Sequence, residues 1–156
     1  MNRLKPFTID KYQALGNDYF VSLRPAAEVA EWTPDFIQWL CDRNKGIGSD
    51  GLLVAHQTPP GEWWVQIYNA DGTEAEKSGN GIRIAARFLY DHGIIQDSQF
   101  VLNTLGGNVE CRVHATDDRV TACLGRANFH STEIPVVGPA REILEEEISQ
   151  IGRAHV

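Results

Sequence analysis

The chain has 156 residues, 42% of them hydrophobic and 22% charged, which is enough for one domain with a real core and ordinary for a soluble globular protein. Its net charge of -7, with no clustered run of Lys or Arg, excludes nucleic acid as the main partner, because phosphate contacts need a basic surface. No apolar run reaches membrane-spanning length, and MNRLKPFTID lacks a signal-peptide core, so no membrane is expected as a partner either.

The cysteines, Cys41, Cys111 and Cys123, are odd in number and show no CxxC spacing. They read as reduced thiols of a cytoplasmic protein without a zinc site. In chain order, FTIDKYQALGNDYFVSL reads as two strands separated by the turn cluster ALGND. TPDFIQWLCDRN follows, with Thr33 as N-cap and Pro34 at the first helical position. Its apolar residues Phe36, Ile37, Leu40 and Cys41 form one stripe, so a short amphipathic helix is expected. The glycine-rich NKGIGSDG ends it, and LLVA reads as a strand.

EWWVQIYN alternates as a strand does, with Trp63, Val65 and Ile67 on one face, and NADGT is a turn. From Ile82 to Leu89, Ile82, Ala85, Ala86 and Leu89 line one helical face, while Ile84 and Phe88 add a second. Only Arg83 and Arg87 are charged there, and a helix apolar on nearly all sides belongs inside something. Gly93 is placed to close it. FVLNT, NVECRVHA and RVTACLG, separated by LGG and TDD, suit a meander. In it Val109, Cys111 and Val113 share one face, as do Val120, Ala122 and Leu124. Cys111 and Cys123 read as packing or surface residues. The acidic segment from Pro135 onward reads as a linker or an outgoing strand. The expected architecture is α+β: a barrel-like, mixed or antiparallel sheet wrapped around the Ile82–Leu89 helix.

Three polar turns each place an asparagine beside a glycine: GND at 16–18, NADG at 69–72 and SGNG at 78–81. The last opens the buried helix, where unpaired N–H groups and the positive dipole end favour carboxylates and phosphates. Asparagine supplies donors and acceptors, which suits a zwitterionic amino acid, although each turn is also ordinary turn chemistry. GIGSDG is not a phosphate loop, since no Lys-Ser/Thr follows, and NADGTE lacks the further carboxylates of a calcium loop. His56, His92, His114 and His130 are scattered singly, so neither a catalytic triad nor a metal cluster is proposed.

SGNGIRIAARFL, with LGNDYF, DRNKGIGSDG and YNADGTEAE in the same order and spacing, resembles the diaminopimelate epimerase family, from about Lys11 to about Glu147. The resemblance implies a lysine-pathway epimerase that inverts an amino acid's α-carbon with no cofactor and no metal. It implies two pseudo-symmetric domains, each a barrel-like sheet around a central helix, with a thiol from each flanking the substrate in the cleft between. Residues 1–135 correspond to the first domain, and 136–156 to the linker or tail leading to a second. Asn17, Asn69, Gly79 and Asn80 fall on the family's substrate-binding positions, and Ser78 falls on its first catalytic cysteine.

That serine is a departure. A cysteine thiol titrates at about 8.5 and lower at a helix N-terminus, giving a usable thiolate, whereas an alcohol needs an adjacent base. Serine occurs at one base position in some hydroxyproline epimerases of the wider superfamily, and it is also among the best helix N-caps. The chain is therefore expected to be an epimerase half, inactive alone, whose partners are a diaminopimelate-like amino acid and a second domain. The alternatives are a catalytically degenerate amino-acid-binding or homodimeric assembly module, or a piece of a longer enzyme.

Overall fold

A computed structural model of the chain describes residues 7–145. These fall into two compact units, one ending at Leu124 and one beginning at Gly125.

The first unit opens with an antiparallel pair, β1 (Asp10–Ala14) and β2 (Asn17–Leu23), joined by a turn at Leu15 and Gly16. After a 3-10 turn at Ala26–Glu31 comes helix α1 (Pro34–Cys41), whose start matches the expected cap. Thr33 Oγ1 accepts from the Phe36 N–H at 3.3 Å, and Pro34 follows at the first turn. Strands β3 (Gly51–Thr58) and β4 (Glu62–Asn69) form the next antiparallel pair, extended by the two-residue strand β5 (Glu74–Ala75).

Helix α2 (Gly79–Asp91) begins three residues before the apolar run because Ser78 caps it. It ends as sequence expects. Gly93, at φ +63°, donates to Tyr90 O at 3.0 Å, and Ile94 donates to Leu89 O at 3.0 Å, the paired bonds of a Schellman motif. The meander β6 (Gln99–Thr104), β7 (Gly107–Val113) and β8 (Val120–Cys123) completes an eight-stranded sheet ordered β1-β2-β3-β4-β6-β7-β8, with β5 beside β4.

The sheet is mixed. β2 and β3 are parallel, as are β4 and β6, and each parallel step is bridged by one helix, α1 for the first and α2 for the second. The helices serve different apolar clusters. Leu53 and Ala55 of β3 join Val65 and Ile67 of β4 and the apolar residues of α2, while Leu52 and Val54 join Phe20, Ile37, Leu40 and Trp32 on the α1 side. Strand β3 is buried on both faces, which is why LLVA is a continuous apolar run.

Helix α2 touches β1, β2, β3, β4, β7 and β8, and its Ile82, Ala85, Ala86 and Leu89 are fully buried. The sheet does wrap α2, but a second core on its other face means that one buried helix does not account for the whole unit. Of the expected inward face of β8, Val120 and Ala122 pack on the α2 cluster while Leu124 remains 47% exposed. The described cysteines are free thiols. Burial pushes Cys41 up to about 11 and Cys111 to about 12, so both are packing groups.

The second unit is held locally by a bridge between His130 and Glu142 and by the buried Ser131, whose Oγ accepts from the Arg141 N–H at 3.0 Å. The far end of the acidic tail lies outside the described residues. Among the described residues no helix is long and apolar enough to cross a membrane.

Candidate functional site

The polar turns come to one end of the sheet. Register aligns Tyr19 with Gly51 and Gly51 with Asn69, so the start of β2, the start of β3 and the end of β4 sit side by side. The approach is tight: a Cβ on Gly51 would lie 2.3 Å from Tyr68 O. At the same end α2 begins. Asn80, in its first turn, donates through Nδ2 to Oδ1 of Asn17 at 3.3 Å, across 63 residues of chain. The structure thus brings Ser78, Gly79, Asn80 and Asn17 together.

Ser78 is extended, at φ -139° and ψ 119°, and its Oγ accepts from the Gly81 N–H at 3.1 Å. Its carbonyl accepts from the Ile82 N–H at 2.9 Å. With Gly81 and Ile82 satisfied, the backbone N–H groups of Gly79 and Asn80 find no acceptor among the described residues. Two free donors at the positive end of a thirteen-residue helix suit an anionic oxygen. A Cβ on Gly79 would meet Leu124 Cδ1 at 3.2 Å, so the head of α2 has little room for a side chain there. Among the described residues Gly81 N–H is the hydrogen-bond partner of the Ser78 hydroxyl, and no His, Lys or carboxylate joins it.

Asn69 is placed differently. It lies at the same sheet end, but its Nδ2 donates to Thr73 Oγ1 at 3.0 Å within its own turn, where Asp71 Oδ1 also receives the Thr73 N–H and hydroxyl. It is exposed and makes no bond to Asn17 or Asn80 among the described residues.

Sequence reasoning passed over the charged groups behind this mouth. Asp50, in the DRNKGIGSDG loop, accepts from Asn17 Nδ2 and from the Asp18 N–H, each at 3.0 Å. Arg43 binds both Asp50 and Asp18, and Lys11 reaches Asp18 at 2.8 Å and Gly48 O at 2.8 Å. The Arg43 guanidinium, helped by Lys11, holds the Asp18 carboxyl well below the usual carboxylate range. At the other end, Arg83 of α2 donates to Asn80 Oδ1. The signal was present as two motif residues, Asp50 and Arg83, each adjacent to a glycine-rich turn.

A sequence profile of the diaminopimelate epimerase family matches residues 9–130. The chain belongs to that family. Diaminopimelate epimerase 2 of Nostoc sp. is 42% identical over 139 residues, covering 88% of this chain and 48% of that protein. Diaminopimelate epimerase of Geobacillus kaustophilus is 35% identical over 143 residues, covering 89% and 49%. The chain spans about half the length of the diaminopimelate epimerases it matches. A crystal structure of a hydroxyproline epimerase from Agrobacterium vitis superposes with a TM-score of 0.51 at 18% identity, over 73% of this chain and 40% of that one, a likeness of fold.

Proposed function

We propose that the chain is one half of a cofactor-independent diaminopimelate epimerase, supplying one wall of a cleft that a second domain completes. The supporting observation is the mouth of α2, where Gly79 and Asn80 carry free main-chain donors beside the Asn17–Asn80 pair, residues to which the family resemblance assigns substrate binding. In this reading the two N–H groups and the helix dipole hold the substrate carboxylate. The Asn17 and Asn80 amides fix its orientation, with Asn69 farther along the sheet end.

The proton-transfer step is where this half falls short. The Ser78 hydroxyl points its acceptor side at Gly81 and has no base beside it, so it holds a proton rather than removing one. Catalysis therefore requires a thiol from the other half. The pure chain is expected to leave the α-proton of diaminopimelate in place in deuterium oxide, followed by proton NMR. Loss of that signal would refute the need for a second half. Ser78→Cys is the companion: exchange gained by that change alone would show that only the acid–base group was missing.

The capped state of Ser78 also favours a second reading, a module that binds an amino acid without chemistry and pairs with a copy of itself. A dimer in light scattering, inert with and without Ser78→Cys, selects it; a monomer removes it.

A further inference from the structure

Two asparagines in contact can each turn an oxygen or an N–H toward the other, and nothing in the pair alone chooses. Here the groups at the two ends choose. Arg83, three residues along α2 from Asn80, contacts the Asn80 amide. A guanidinium can only donate, so Asn80 must show it Oδ1. At the far end Asn17 lies 3.0 Å from Asp50 Oδ2. A carboxylate can only accept, so Asn17 must show it Nδ2. What remains between them is Asn80 Nδ2 facing Asn17 Oδ1, donor to acceptor, at 3.3 Å. Every link runs in one direction, from Arg83 through both amides to Asp50. Asp50 is in turn fixed by the Asp18 N–H at 3.0 Å and Arg43 Nη2 at 2.9 Å.

We propose that Arg83 and Asp50 are positioning residues that lock the two amides in this orientation, so that the pair offers N–H donors to whatever occupies the mouth of α2. The proposal rests on the binding role of Asn17 and Asn80 given above. Each amide keeps one N–H outside the relay, and in this proposal these join the free main-chain donors of Gly79 and Asn80. A carboxylate oxygen is matched there and an ammonium is not. Reversing either amide would set like groups against each other at both of its contacts, so the lock is cooperative across residues that do not touch.

The test reads the side-chain amide resonances of Asn17 and Asn80 in the full chain by 15N NMR, with diaminopimelate as the added probe. Arg83→Met is expected to shift the Asn17 amide pair and speed its exchange with water, although Arg83 does not contact Asn17. Arg83→Lys, which keeps a donor, is expected to restore both. Asp50→Ala, which removes the acceptor, is expected to move the Asn80 pair in the same way and serves if Arg83→Met fails to fold. Diaminopimelate affinity should fall about tenfold in Arg83→Met and recover in Arg83→Lys, the scale of one lost charge-assisted hydrogen bond. Remote amides that ignore both substitutions, with the backbone spectrum otherwise kept, overturn the relay. If wild type does not bind diaminopimelate while the remote amides respond, the relay holds and the binding role proposed for the site is what fails.

Discussion

Ser78 is a helix cap. As a cap it satisfies the Gly81 N–H, one of the donors a helix start leaves unpaired. Ser78→Ala should therefore cost about 1 kcal/mol in urea denaturation, and Ser78→Gly only a few tenths. Equal stability of wild type and Ser78→Ala would remove the cap. This role was legible, because a serine preceding glycines and a dense apolar run is a local pattern. The pairing of Asn17 with Asn80 was not. It spans 63 residues and exists only because the β1–β2 turn and the head of α2 meet at one sheet end. Sequence groups Asn69 with the others by its polar turn, and the structure places it at the same sheet end with one amide N–H given to Thr73, the residue its own turn brings back.

At the level of elements, α2 is the centre of one of the first unit's two apolar clusters. Leu89 has no exposed surface and sits in the cluster shared by α2 and the sheet. Leu89→Ala should cost about 2–5 kcal/mol, the usual loss when a buried leucine leaves a cavity, read from the midpoint of chemical denaturation. A loss below about 1 kcal/mol would show that the surrounding strands collapse onto the gap. The helix itself was legible from its double apolar face, and the meander from its alternation. The two parallel steps were not, since alternation reports which face is buried and not which strand lies alongside. One clue was available in LLVA. A run apolar at every position is buried on both sides, and that already requires a second layer, the place α1 fills.

For the whole molecule, two titrations, one of a buried histidine and one of a paired carboxylate, shape how stability follows acidity. His56 is 9% exposed, and burial lowers its affinity for a proton below the ordinary value of 6.5. The unfolded chain takes that proton first. Stability is then full above pH 6.5 and declines as pH falls below it. Asp18 is depressed from 3.8 by Arg43 and Lys11, so its contribution is full above that pH and is lost as pH falls through its folded value. Denaturation midpoints measured from pH 8 to pH 2 should show two separate declines. His56→Leu should flatten the upper one and Asp18→Asn the lower. A midpoint constant between pH 7 and pH 5 would contradict the first assignment.

The tip of the β1–β2 turn holds a leucine at φ +56° with 91% of its surface exposed, one residue from the glycine that precedes Asn17. Leucine favours neither a left-handed backbone nor contact with water. A residue at ease with that backbone, such as asparagine, would relieve both tensions while leaving the relay beside it untouched. The tip and the hydrogen-bonded asparagine beside it are therefore separable targets, one adjustable for robustness and the other for testing the proposed binding role.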